Sequence, residues 1–309
     1  MTAAAGASDA AGLGRARALT FITPAFLLIS AFLVFPALWT IYLGVTDYRL
    51  TGTAAADPQV IGLANYAQAL GDPGFRNSLV LTLIFVLGSA IIGQSTMGFL
   101  IASSMRSVPK AVKTLVESLV LLAWILPSSI VAFLWVAFLN RDGGTLSTLL
   151  NTPDTAWLLE HPMLSIIVFN TWRGTAFSML LFSAALGAVP PSQLETARLA
   201  GANAWQQLRD VIFPHIRGHV LTNTLLISLW TFNDFSPYLL TAGGPNHATE
   251  TLPVFIYNRA LYSGELGYGS AISFLMLLIN LIIALVYIRL LRERNRASAA
   301  TPAEEAVKV

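Results

Sequence analysis

Residues 190–214 read PPSQLETARLAGANAWQQLRDVIFP, a polar stretch set between two long apolar runs. Two membrane spans need only a short loop to join them, so a stretch of this length has a purpose of its own. Ser192 followed by Glu195 has the spacing of a capping box, and Asn203 with Gln206 repeats it in weaker form. Gly201 stands between them, where a chain reversal needs a residue tolerant of positive φ. The stretch therefore predicts two short helices. In the second, Trp205, Leu208 and Ile212 share one face while Gln206, Arg209 and Asp210 fall on others, which predicts a docking surface at a membrane edge.

Working outward, the 309-residue chain is 55% hydrophobic and 11% charged, whereas soluble domains carry about 25% charged residues. Residues 18–46, 78–105, 118–140 and 267–288 contain no Asp, Glu, Lys or Arg; 163–188 contain only Arg173, and 220–242 only Asp234. Each run reaches the roughly 20 residues of a membrane-crossing helix. None has the shorter, alternating pattern of barrel strands. The prediction is an all-α membrane protein of six transmembrane helices over residues 18–292, with residues 190–214 between the fourth and fifth. Residues 1–17 and 293–309 read as cytoplasmic tails, the Ala-rich N-terminus and the segment after Arg296 as disordered. The first apolar run is too long for a cleaved signal and reads as an uncleaved span.

Basic residues set the expected orientation. With the N-terminus cytoplasmic, the inner segments hold Arg15 and Arg17; Arg106, Lys110 and Lys113; Arg198, Arg209 and Arg217; and Arg289, Arg292, Arg294, Arg296 and Lys308. The outer segments hold only Arg49, Arg76, Arg141 and Arg259. The formal charge of +2 is thus mainly a topology signal and gives no support to nucleic-acid binding. There is no cysteine for a disulfide or thiolate site. The three lysines follow Pro109, Val112 and Val307, so no phosphate-binding Gly-Lys-Ser/Thr loop is present, and neither HExxH nor GxSxG occurs. His215 and His219 have a metal-compatible i, i+4 spacing, but Gly218 weakens a helix there and no carboxylate partner is obvious; an interfacial pair is the expected reading. The chain is expected to carry no chemistry of its own and no metal or cofactor.

The 190–214 segment resembles the "EAA" loop of the membrane subunits of bacterial ATP-binding-cassette importers, of the maltose and glycerol-phosphate permease type. The usual form, EAAxxDGAxxxxxFxxIxLP, is matched by Glu195, Ala197, Gly201, Ala202, Ile212 and Pro214; it departs at Thr196, Ala200, Leu208 and Phe213. GLANYAQAL at 62–70 with Phe75, Asn77 and Thr82 resembles the start of that family's second span. YLLTAGGP at 238–245 with Thr249, Leu252 and GYGSAIS at 267–273 resembles its last third. The likeness covers about residues 20–292.

The resemblance implies a type I importer permease fold with a cytoplasmic coupling helix in the EAA loop. Glu195, Ala197, Leu199, Gly201, Ala202 and Pro214 would carry the closing motion of an ATPase into the spans. It also implies a multi-pass subunit of the bacterial inner membrane with both termini cytoplasmic. The expected partners are a second, homologous permease, two copies of an ATPase subunit that bind ATP and Mg, and an extracytoplasmic sugar-binding protein. That protein would dock on residues 47–77 and 243–266.

A charge inside a span costs a few kcal/mol and faces a partner or a wet cavity. Arg173 and Asp234 meet that description, each in a polar-aromatic patch: Asn170, Trp172 and Arg173 in the fourth span, and Trp230, Asn233, Asp234 and Tyr238 in the fifth. These are the candidate translocation-path residues; the bland alternative is an ion pair that only fixes packing. Pro127 predicts a kink in the third span, with Ser128 and Ser129 satisfying the freed carbonyls. An ion-coupled secondary transporter is the competing reading, but it favours an inverted repeat and more intramembrane acids than this sequence has. An intramembrane enzyme would need a nucleophile or metal cluster at depth, and none is evident.

Overall fold

The computed structural model describes residues 15–306, and side chains over residues 19–292; the expected N-terminal tail up to residue 14 lies outside it. Among the described residues the only regular structure besides helix is one isolated antiparallel bridge, Thr46 to Val60. Among the described residues four helices are long and apolar enough to cross a membrane: α1 (Leu19–Gly44), α2 (Pro73–Ser104), α5 (Pro162–Gly187) and the Leu266–Arg292 part of the last helix. Between them lie α3 (Lys110–Ile125), α4 (Ser128–Phe138), the short helix α6 (Pro191–Leu199), α7 (Phe213–Phe232) and α8 (Ser236–Thr241); the last helix, α9, runs Leu266–Ala306. The backbone of α9 stays helical beyond Arg296, where the sequence predicts disorder; Ala and Glu there are good helix formers.

Two of the six expected spans are not single helices. The third is the pair α3 and α4, which together are apolar enough to cross but meet at 103°. Leu126 precedes Pro127 and is pushed into extended geometry (φ −61°, ψ 140°), and Pro127 is extended as well. A full corner replaces the expected kink. The Ser128 and Ser129 hydroxyls, expected to bond freed carbonyls, have no hydrogen-bond partner among the described residues, because the chain leaves helical geometry altogether. The fifth span, expected over 220–242, ends at Phe232 and restarts as α8. Its helical part carries His215, Arg217, His219 and Asn223, so by length and apolarity it is not counted with the others.

The chain divides into two compact units, residues 1–69 with 259–274, and residues 70–258 with 275–309. In the first, Asn65 of the GLANYAQAL block is buried and clamps the end of α1, its Nδ2 donating to the carbonyls of Gly44 (3.0 Å) and Thr46 (2.8 Å). Arg49 pairs with Glu265 at 2.9 Å, and the Gly267 amide donates to the Tyr48 carbonyl, so the GYGSAIS block is fixed to the same turn.

In the second unit α2 and α5 pack closely enough that side chains on small residues would collide. A Cβ at Gly93 would meet Thr171, one at Gly98 would meet Ser178, and one at Gly174 would meet the Gln94 carboxamide. Small residues at contact positions let helices approach, which is how apolar spans associate without a hydrophobic drive between them. Turns of α2 over Val86–Gln94 are widened to π type. Two apolar clusters complete the unit. One joins Phe85, Ile166 and Phe169 to Val131, Ala132 and Leu240. The other joins Met179, Phe182 and Leu186 of α5 to Leu194 of α6 and Ile216 of α7.

Candidate functional site

The 190–214 segment begins with a proline pair. Pro190 is the N-cap and Pro191 opens α6, as proline's fixed φ favours at the first helical position. Ser192 is therefore already inside the helix, and the expected Ser192–Glu195 capping box does not form. The weaker candidate is the real one. Asn203 Oδ1 accepts from the Gln206 amide (2.9 Å), and Gln206 Oε1 accepts from the Asn203 amide (2.8 Å). Between the helices Gly201 takes φ +78°. Its amide donates to Arg198 O and the Ala202 amide to Ala197 O, the paired bonds of a glycine-terminated helix. From Ala204 the chain is helical without a break into α7, through π-type turns at Gln207–Ile212.

This local folding gives α6 two faces. Leu194 is buried in the α5–α7 cluster, with Ala197 half-buried one turn on. Glu195 and Leu199, four residues apart, share the opposite face, and Leu199 is 90% exposed. Glu195 is exposed and has no hydrogen-bond partner among the described residues. Ala202 is half-buried, and Gly201 and Pro214 are exposed. Trp205 of the second helix is 66% exposed, while Leu208 and Ile212 are half-buried. Arg209 donates to both Asp210 oxygens (2.7 and 3.1 Å), and that hydrogen bonding holds the Asp210 carboxyl below its usual range. Sequence reasoning missed Leu194, the anchor of the helix; its signal was an isolated leucine opposite the Glu195–Leu199 face.

The intramembrane residues gather around one cavity of about 550 Å³, lined from α2, α3, α5 and α7 and the break after α7. Five of the seven candidate path residues line it: Asn170, Arg173, Trp230, Asn233 and Asp234. The other two do not. Trp172 points away and packs on Trp135, with ring centroids 5.7 Å apart. Tyr238 lies between Phe235 (4.9 Å) and Tyr257 (4.7 Å) and borders a different cavity, shared with Arg141 and Leu159. Position along a span is legible in sequence, but the angle around the helix axis in a run apolar on all sides is not.

Polar groups in the cavity wall are held by one another. Asn170 Nδ2 donates to Ser89 Oγ (2.7 Å) and Thr231 Oγ1 (3.3 Å), tying α5 to α2 and α7. Gln94 Nε2 donates to the Asn170 carbonyl at 3.1 Å, lying where Gly174 leaves room for it. Asn233 and Asn280 exchange side-chain amide bonds of 3.1 and 3.2 Å. Arg173 stands 3.9 Å from Asp234, and Ser236 bridges them: its hydroxyl accepts from Arg173 (3.1 Å) and donates to Asp234 Oδ1 (2.7 Å). Asp234 Oδ1 also accepts from the Ser236 amide, two residues on, where α8 begins. Ser89, Gln94, Trp124, Phe177 and Thr231 complete the site, and the sequence reading passed over them. A search for full charges does not find neutral polar or aromatic residues inside apolar runs.

Known proteins resemble this chain in sequence and in fold. The chain is 27% identical over 282 residues to a probable ABC transporter permease protein of Pyrococcus horikoshii, covering 87% of this chain and 94% of that one. It is 25% identical to a sulfoquinovosyl glycerol transport system permease protein of Agrobacterium fabrum, covering 91% and 92%. Among solved structures, a bacterial ABC transporter involved in the import of the acidic polysaccharide alginate has the same fold, with TM-score 0.70 at 20% identity over 90% of this chain and 95% of that one. The family described as binding-protein-dependent transport system inner membrane component matches residues 94–296. By that match and this architecture, the chain belongs to the family of binding-protein-dependent transport system inner membrane components, with the fold of a type I importer permease.

Proposed function

We propose that this chain is the permease subunit of an ATP-driven sugar importer, forming half of a translocation path and moved by a separate ATPase. One observation carries the reading. The short helix α6 is anchored through buried Leu194 to α5 and α7, which line the polar-aromatic cavity, while it offers exposed Glu195 and Leu199 on its far side. A rigid helix held to two spans acts as a lever, and a rock of those spans opens the path to one side or the other. Glu195, Ala197, Leu199, Gly201, Ala202 and Pro214 form the coupling surface. ATP and Mg belong to the partner. The pairing of tryptophan rings with amide side chains in the cavity wall supports a sugar as cargo.

The assembly consists of this chain, a second homologous permease, two ATPase subunits and an extracytoplasmic binding protein docking on residues 47–77 and 243–266. The termini and residues 190–214 face the cytoplasm, in keeping with the bias of basic residues. The test is uptake and ATPase co-purification with Glu195→Lys and Gly201→Asp. Both variants are expected to reach the membrane at normal level and to lose uptake, with the ATPase subunit released or idle. Normal uptake by both would remove the coupling role.

A further inference from the structure

The lining of the large cavity carries two charges of opposite sign, Arg173 and Asp234, with side chains 21% and 14% exposed. Their geometry is fixed rather than casual. Asp234 Oδ1 is held by both the amide and the hydroxyl of Ser236, and the same hydroxyl accepts from Arg173. The guanidinium therefore faces the cavity with a carboxylate pinned 3.9 Å away. A carboxylate or phosphate on a solute would have to reach Arg173 alongside Asp234, and like charges at such range repel strongly away from bulk water.

What remains for a solute is neutral. Asn170 Oδ1 and Gln94 Oε1 accept no hydrogen bond among the described residues, and the indole N–H groups of Trp124 and Trp230 donate none. Trp124, Phe177 and Trp230 pack with centroids 5.6 to 5.9 Å apart and form an apolar wall beside these groups. Ring faces against C–H surfaces, with free acceptors and donors around them, suit a hydroxylated ring without charge.

We infer that this cavity selects an uncharged, hydroxyl-rich solute, and that Asp234 is the specificity residue that excludes anionic ones by masking Arg173. This rests on the cavity being the sugar path proposed above. Asp234→Asn keeps an oxygen for the Ser236 amide and hydroxyl, so both bonds at the start of α8 remain while Arg173 is unmasked. Arg173→Gln does the reverse and leaves the carboxylate alone.

The test titrates the tryptophan emission of the complete membrane complex, without its binding protein, using glucose and galactose, their uronates and their amino sugars. In the native complex the neutral sugars are expected to bind about tenfold or more tighter than either charged series. Asp234→Asn should shift preference toward uronates by a similar factor, and Arg173→Gln toward amino sugars. A pair that only fixes packing would lower all three series together in both variants. That result, or uronates binding the native complex as well as neutral sugars, overturns the inference and leaves the sugar path standing. No response to any sugar overturns the path itself, and the inference with it.

Discussion

At Gly98 on α2 a Cβ would sit 2.5 Å from the Ser178 side chain and 2.7 Å from the Met179 backbone nitrogen. Backbone cannot step aside as a flexible side-chain tip can, so Gly98→Ala should force α2 and α5 apart, at a cost of about 1–3 kcal/mol. A fall in the thermal unfolding midpoint of the purified chain would register it; an unchanged midpoint would mean the two helices part freely there. Gly201 is the contrasting case. Nothing lies within 4 Å of its Cβ position, and its φ of +78° is the whole requirement. The sequence reading identified Gly201 because a reversal between two helix signals is a local matter. Gly98 looked like any small residue in an apolar run, since what crowds it comes from about 80 residues further along the chain.

Among the elements, α6 shows what local signals decide and what they leave open. Its existence, its glycine stop and the capped start of the next helix all follow from neighbours in sequence. Its attachment does not. Leu194 is buried against Met179, Phe182, Leu186 and Ile216, which belong to two other helices. Leu194→Ala should leave a void and weaken that attachment by about 2–5 kcal/mol, while the exposed Glu195–Leu199 face stays intact. The expected outcome is retained ATPase co-purification with reduced uptake, whereas Leu199→Asp should lose both. Equal loss of co-purification in the two variants would show that α6 has no separate inner and outer roles. The breaks in the third and fifth spans teach the same lesson. Pro127 announced a disturbance, but its size, 103°, was set by two successive extended residues and by what α4 packs against.

For the whole molecule, the proposed orientation rests on the distribution of basic residues, and the absence of cysteine makes it easy to check. A single Leu199→Cys should react with a membrane-impermeant maleimide only in inverted vesicles, because the residue is 90% exposed on the proposed cytoplasmic face. Thr53→Cys, on the exposed turn between α1 and α2, should react only in intact spheroplasts. Labelling with the sides exchanged would reverse the topology and with it the place where an ATPase could act.

The sequence by itself determined that the chain is helical and membrane-borne, where the short helix between the fourth and fifth apolar runs lies, and that Arg173 and Asp234 need an explanation. Composition, charge-free length and capping chemistry act over a turn or two of chain and leave their mark in order. Tertiary structure alone decided that Trp172 and Tyr238 stand outside the cavity while Gln94, Trp124 and Phe177 line it, and that Ser236 locks the two charges together. In a span apolar on every side no periodicity marks the inward face, so the rotation of each helix is set only by the close contacts it makes with the others.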